Sequence, residues 1–181
     1  FRQTHSKEKS QTKGESESKN QTDLAQVSQA QSFANHCMYM ASVLIEHWSD
    51  AIDRQTQNAS VTTAAFAPAV RLHLLDAYGW QMLACNRVAA LPSRPPHHTS
   101  RMPVIAEGIT VAPEVKELAL LEQSGWLATL QKEINPGLPK RTAAYALLAS
   151  EGGDFDLSVA RYCFAELETL IQRFSDAIDE S

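Results

Sequence analysis

Histidine is the residue type in this chain best suited to acid–base or metal chemistry, because imidazole titrates near neutral pH and binds metal ions. His36 and His47 are separated by eleven positions, and His73 lies in a different segment. On one helix, a spacing of eleven residues corresponds to about 16 Å along the axis, which is too far for one metal ion to bridge. We therefore expect three half-buried histidines whose ring nitrogens bond to neighbouring groups.

The alternative is a small-ligand-binding or metal-binding bundle with enzymatic activity. Its candidate binding residues are His36, His47, His73 and Asp76. It requires the helices that carry them to be antiparallel neighbours, so that packing brings the side chains together. A pocket where two or more of the histidines converge within hydrogen-bond reach would favour this alternative. Histidines scattered over separate faces would favour a protein without catalytic activity.

Common catalytic and cofactor motifs are absent from the sequence. There is no Glu-x-x-His pair, no His-Glu-x-x-His zinc motif, no glycine-rich phosphate loop and no Gly-x-Ser-x-Gly nucleophile motif. Cys37 beside His36 resembles a nucleophile with its base, but neighbouring residues of a helix point about 100° apart. The adjacent His97 and His98 alone seldom build a closed metal site. We expect no catalytic residue, no metal site and no cofactor.

The composition is that of one soluble domain. The chain has 181 residues, of which 44% are hydrophobic, and no apolar run is long enough to cross a bilayer. Cys37, Cys85 and Cys163 are widely spaced and form no Cys-x-x-Cys pair, which favours reduced thiols and a cytoplasmic location. Residues 1–23 do not resemble a secretory signal. Because the chain begins with Phe1 rather than methionine, we expect a fragment, a processed form or a partial gene model.

The charge distribution argues against nucleic-acid binding. The formal net charge is −5 at pH 7. A surface that binds duplex DNA or RNA needs clustered lysine and arginine to displace counterions, and the sequence shows no such cluster. We therefore expect no nucleic-acid partner, and the absence of a long apolar run predicts no membrane partner.

The elements that would position these side chains are helices. Residues 1–22 are almost entirely polar, so burial could not offset the entropy lost on ordering them. We predict a disordered polar tail over 1–22 and one helical domain over 23–181. Helical spacing of the apolar residues predicts an all-α single bundle of about five helices. Strand-like residues occur only at 104–105 and 109–111, too few for a sheet.

The first two predicted helices are long. Helix 1 should span 24–55 with Asp23 as its N-cap, and helix 2 should span 62–90, where Pro92 ends it. Pro68 either starts helix 2 or kinks it. The predicted buried face of helix 1 is Leu24, Val27, Ala30, Ala34, Cys37, Ala41, Leu44, Trp48 and Ile52. The predicted buried face of helix 2 is Val70, Leu74, Ala77, Tyr78, Gln81, Met82, Cys85 and Val88.

Proline and glycine divide the rest of the chain. Residues 92–112 form a long proline-rich connection, and such connections are usually functional or mobile. Three further helices are predicted to begin at Pro113, Trp126 and Leu157. Ser124–Gly125 separates the first two of these, and Asp156 is the expected cap of the last. Residues 142–149 fit either a short helix or an extended segment.

A pattern of larger residues recurs over the predicted helices. The first helix contains Glu-His-Trp at 46–48, the second contains Arg-Leu-His-Leu-Leu-Asp-Ala-Tyr at 71–78, and Ser-Gly-Trp-Leu at 124–127 restarts the chain. This pattern resembles a family of small uncharacterised bacterial all-helical proteins, classed as a domain of unknown function. The resemblance covers residues 33–130 and the last helix, and Pro68 and the tail depart from it. It implies a bacterial cytosolic setting and brings no catalytic residue.

The sequence favours a non-enzymatic protein-interaction or adaptor domain. Such a domain buries one face of each helix and offers another face, or the connection 92–112, to a protein partner. Trp48, Trp80 and Trp126 fall on three predicted helices, where a shared core is the expected role. An exposed aromatic groove for a partner helix is the alternative. Neither the partner nor the oligomeric state follows from the sequence.

Overall fold

Helices account for all the regular structure in a computed structural model that describes residues 5–55, 57–86, 88, 90–103, 110–134 and 155–179. Within these ranges, side chains are described for residues 18, 19 and 21–178. The five α-helices are α1 (His5–Asp53), α2 (Ala59–Cys85), α3 (Pro113–Ser124), α4 (Trp126–Gln131) and α5 (Leu157–Asp179). A 3-10 turn covers Thr99–Arg101, and the described residues contain no β-strand. The predicted all-α bundle of five helices is confirmed.

Helix α1 begins earlier than the sequence predicted. Its backbone is helical from His5, so the start expected at residue 24 is wrong and Asp23 lies inside the helix. No proline interrupts residues 5–23, and their Gln, Ser, Lys and Glu side chains are compatible with a helix. The described side chains of residues 18–22 are exposed. Leu24 is also 63% exposed, against prediction, and Val27 is the first described core residue.

Deletion of residues 1–22 should leave the melting temperature within about 2 °C of that of the parent chain. The deleted stretch includes no described buried side chain, so no known core contact is lost. Differential scanning calorimetry of the two chains measures the shift. A drop of more than about 5 °C would show that the N-terminal residues pack on the helical domain.

Side-chain caps set the ends of α2. Asn58 Oδ1 accepts a hydrogen bond of 2.9 Å from the backbone N–H of Ser60. At the other end the side-chain amide of Asn86 donates to the carbonyl of Met82 at 3.3 Å. The helix therefore ends at residue 85, and the predicted end at residue 90 is wrong. Pro68 lies exposed in the helix interior, nine positions after the first helical residue, so it does not start the helix.

The main core forms between α1 and α2, with α3, α4 and α5 packed against them. Trp48 stacks on Phe66 with ring centroids 6.3 Å apart, and Phe33 contacts Trp80 at 4.8 Å, so the two long helices are antiparallel. Predicted core positions of these helices that are buried are Val27, Ala30, Ala34, Ala41, Trp48, Val70, Leu74, Ala77, Tyr78, Gln81 and Met82. Those that are only half-buried are Cys37, Leu44, Ile52, Cys85 and Val88.

The last helix begins at its predicted residue and has its predicted cap. The Asp156 carboxylate accepts a 2.8 Å hydrogen bond from the backbone N–H of Val159 and so caps α5. Its buried face is Ala160, Cys163, Leu167, Leu170, Ile171 and Phe174. Pro113 occupies the first turn of α3, as predicted. The predictions for residues 104–105, for 109 and for 142–149 lie outside the described residues.

The tryptophans are core residues. Trp48 and Trp126 lie in the main core, and Trp80 lies in a neighbouring cluster with Ala34 and Leu83. The exposed aromatic groove considered from the sequence is therefore wrong. Among the described helices, none is both long enough and apolar enough to cross a membrane.

Candidate functional site

The histidines proposed as ligands do not converge in the described part of the chain. His36 and His47 are exposed on α1, and His73 is half-buried on α2. No hydrogen bond or ion pair among the described residues joins two of them. Asp76 instead contacts His97, with 2.6 Å between Oδ1 and Nε2. Within the described residues, the convergence that would favour the ligand-binding alternative is not found. Nor do the described residues include a group of three or more His, Cys, Asp or Glu placed to hold a metal ion.

A buried carboxylate on α3 organises a polar cluster that joins four segments. Only 2% of the Glu122 side chain is exposed. Its Oε1 accepts hydrogen bonds from the Tyr78 hydroxyl at 2.6 Å and from Gln131 Nε2 at 3.0 Å. Thr99 donates its backbone N–H to Oε1 at 2.8 Å and its hydroxyl to Oε2 at 2.6 Å. We name these four residues the Glu122 cluster; it joins α2, the 3-10 turn, α3 and α4.

Hydrogen bonding sets the ionisation of the Glu122 cluster. Burial alone would raise the pKa of Glu122, but the hydrogen bonds from Thr99, Tyr78 and Gln131 outweigh burial and hold that pKa below its ordinary value of 4.5. Burial first, and then the contact with Glu122, raises the pKa of Tyr78. At neutral pH the carboxylate is charged and the phenol is protonated. The cluster is therefore suited to structural anchoring rather than to proton transfer near pH 7.

The lowered pKa of Glu122 predicts a loss of stability in acid. Because the folded-state pKa lies below the unfolded value, the stabilisation is fully present above about pH 4.5 and is lost as the pH falls through the folded-state pKa. Between pH 6 and pH 3 the free energy of unfolding of the parent should fall more steeply than that of Glu122→Gln. Urea denaturation across this range measures both slopes. Parallel pH profiles would contradict the prediction.

The cluster holds the connection between α2 and α3 against the helices. Gln131 Nε2, which donates to Glu122, also donates to the backbone carbonyl of His97 at 2.7 Å. The His97 ring contacts Asp76 on α2 through its Nε2 atom. Thr99, His97 and their helix partners thus fix the middle of this connection. We name residues 93–101 the anchored loop.

The loop also packs closely on Gly79 of α2. A Cβ at this position would lie 2.2 Å from the carbonyl oxygen of Pro96 and 2.8 Å from Cβ of Pro95. No side chain fits there without displacement of the loop backbone. Glycine at position 79 therefore allows Pro95 and Pro96 of the anchored loop to lie directly on α2.

Gly79→Ala should lower the free energy of unfolding by about 1–3 kcal/mol because the added methyl group overpacks the contact with Pro96. Helix propensity alone predicts that the same substitution raises the free energy of unfolding by about 1 kcal/mol. Urea denaturation decides between them. Ala64→Gly at an exposed site of the same helix calibrates the propensity effect. A more stable Gly79→Ala protein would show that the loop does not press on α2.

His98 caps the 3-10 turn rather than sharing a site with His97. Its Nδ1 accepts a 3.1 Å hydrogen bond from the Ser100 backbone N–H and lies 3.2 Å from Oε2 of Glu122. The first contact needs an unprotonated Nδ1 and the second a protonated one, so they exclude each other. The two adjacent rings therefore have different partners among the described residues: the His97 ring contacts Asp76, and the His98 ring caps the 3-10 turn.

The cysteine thiols are protonated at neutral pH. All three are free; Cys163 is buried, and Cys37 and Cys85 are half-buried. Burial raises the pKa of Cys37 to about 11, with a further contribution from Asp76, the pKa of Cys85 to about 12 and the pKa of Cys163 to about 11. The thiolate is the nucleophilic form, so these values disfavour the Cys37–His36 pair as a catalytic unit.

An open cleft of about 330 Å³ lies between α1 and α5. Its lining is Ser42, Ile45, Glu46, Ser49, Asp50, Arg161 and Phe164. Arg161 Nη2 donates to Ser49 Oγ at 2.7 Å across it. None of the candidate histidines lines this cleft.

Sequence reasoning missed Glu122, Thr99 and Gln131. One signal was present: the spacing of Val115, Leu118 and Glu122 places the carboxylate on the apolar side of α3, where a charged residue is unusual unless paired. No protein-family model, curated protein or solved structure matches this chain. The contacts above are therefore the basis for assigning it a role.

Proposed function

We propose that this chain is a non-enzymatic protein-interaction domain whose anchored loop presents a fixed surface to a protein partner. The observation that carries the proposal is the buried carboxylate of Glu122, which holds Thr99 by two hydrogen bonds. A buried charge is costly unless it is fully hydrogen-bonded. The carboxylate lies beneath the anchored loop, which is an irregular surface segment. This position supports a role in which the fixed shape of the loop serves partner binding. A loop fixed in this way loses less conformational entropy when it binds.

Other side chains capable of chemistry have structural roles that agree with this proposal. Tyr78 and Glu122 are buried and paired with each other. The Asp76 carboxylate holds the His97 ring against α2. Three free thiols support a reducing, cytoplasmic setting, which we propose as the location.

The Asp76–His97 contact favours a second candidate, a small-ligand-binding bundle with enzymatic activity. A carboxylate that holds one imidazole nitrogen leaves the other available as a general base. The His97 side chain is 35% exposed, so a ligand can reach it. A thermal-shift screen of metabolites against the parent and His97→Ala tests this role. A ligand that stabilises the parent, but not the variant, would make it the stronger candidate.

Site-specific photocrosslinking in the native cytosol tests the interaction proposal. A photoreactive residue at Ser100, exposed on the anchored loop, should crosslink to a defined protein identified by mass spectrometry. The matched control carries the same residue at Thr169, exposed on α5. Equal crosslinking from both positions, or none from Ser100, would contradict a partner-binding role for the loop.

A further inference from the structure

The anchored loop lies in the middle of a long stretch without acidic residues. Residues 77–106 contain no aspartate or glutamate, although the chain carries 21 acidic residues and a net charge of −5. Within this stretch the anchored loop contains two arginines and two histidines. The anchored loop, which the Glu122 cluster holds in place, therefore carries positive charge from Arg94 and Arg101 and no acidic residue.

The two arginines of this loop differ from the other described arginines because their side chains have no partner among the described residues. Side-chain partners within the chain are present for Arg54 (Asp50), Arg71 (the carbonyls of Leu130 and Gln131), Arg161 (Ser49) and Arg173 (Glu117). Arg94 and Arg101 are exposed, and no hydrogen bond or ion pair of their guanidinium groups occurs among the described residues. A guanidinium presents a planar set of donors that matches a carboxylate in a bidentate pair.

The carboxylates that contact the loop are already used. Glu122 accepts four hydrogen bonds and is almost wholly buried, so it has little capacity left for an arginine. Asp76 holds the ring of His97. No described carboxylate therefore pairs with Arg94 or Arg101, and both side chains are exposed to an outside group.

We propose that the anchored loop binds an acidic segment of a protein partner through Arg94 and Arg101. This inference rests on the proposed function and supplies the chemistry of its partner. Carboxylates fit better than a nucleic acid because two arginines on a net-negative chain give no continuous row of positive charge along a phosphate backbone. The Glu122 cluster and the Gly79 contact hold the loop, which reduces the ordering cost of binding.

Fluorescence anisotropy with a labelled peptide of alternating glutamate and glycine tests the proposal. The full chain should bind this peptide at about 50 mM salt, and the affinity should fall as salt screens the charges. The double variant Arg94→Gln/Arg101→Gln should weaken binding by at least about tenfold. The double variant Arg54→Gln/Arg173→Gln removes the same net charge elsewhere and should weaken binding by less than about twofold.

Three results would overturn the proposal. The parent could bind the glutamate peptide no more tightly than a peptide of alternating serine and glycine. The control double variant could lose as much affinity as the loop double variant. A duplex oligonucleotide could bind the loop more tightly than the peptide does. If any of these is found while Ser100 still crosslinks a protein, the interaction function stands and only the acidic recognition fails.

Discussion

Glu122→Ala should lower the free energy of unfolding by about 3–5 kcal/mol, the range expected when a buried charged network loses its central member. The substitution leaves the Tyr78 hydroxyl and the backbone N–H and hydroxyl of Thr99 without their acceptor. It also removes one of the two acceptors of the Gln131 amide, which keeps the His97 carbonyl. Each unpaired buried donor adds to the cost. Urea denaturation followed by circular dichroism measures the change.

Glu117→Ala on the same helix is the matched control. Glu117 pairs with Arg173 at the surface, where such pairs contribute less than about 1 kcal/mol. Tyr78→Phe should also cost less in the Glu122→Ala background than in the parent, because the hydroxyl has already lost its acceptor. Additive effects of the Tyr78 and Glu122 substitutions, or equal effects of the two glutamate substitutions, would show that the cluster does not act as a unit.

Trp48→Ala should lower the free energy of unfolding by about 3–5 kcal/mol because it removes a large side chain from the centre of the core. Trp48 has no exposed surface, and its ring is nearly parallel to that of Phe66. The cavity would lie between α1 and α2, where the remaining side chains can collapse only partly. Urea denaturation measures this loss.

Trp48→Phe should be milder than Trp48→Ala. The buried Trp48 Nε1 has no hydrogen-bond partner among the described residues, so the smaller ring loses contact area but none of the described hydrogen bonds. Leu120→Ala at a side chain that is 66% exposed should change stability by less than about 0.5 kcal/mol. A near-neutral Trp48→Ala result would place this ring at the surface and reopen it as a partner contact.

The sequence predicted the helical class and most buried positions because apolar spacing directly reflects which helix face is buried. It predicted the helix ends less well. The predicted cap at Asp156 was correct, because an Asp N-cap accepts a hydrogen bond from a residue close to it in sequence. The predicted start of α1 was wrong, because polar residues without an apolar pattern can still continue a helix. Leu24 was placed in the core by spacing alone, but no neighbouring element covers it.

The polar site was less predictable because its members are distant in sequence. Thr99 and Gln131 lie 23 and 9 residues from Glu122, and Tyr78 lies 44 residues away. No helical period connects these positions, and only tertiary packing brings them together. The spacing on α3 could have identified Glu122 as buried, but not its partners. The close packing of the loop on Gly79 was likewise not predictable, because a glycine inside a helix does not indicate which residues pack against it.

The shared acceptor at Glu122 opposes release of the loop. If Thr99 moved away, a partly dehydrated charge would keep only the donors from Tyr78 and Gln131, so the opened state carries a desolvation cost. Local opening of the loop should therefore be rare. Proteases that need an opened chain would find few cleavable conformations here, even though much of the loop faces solvent.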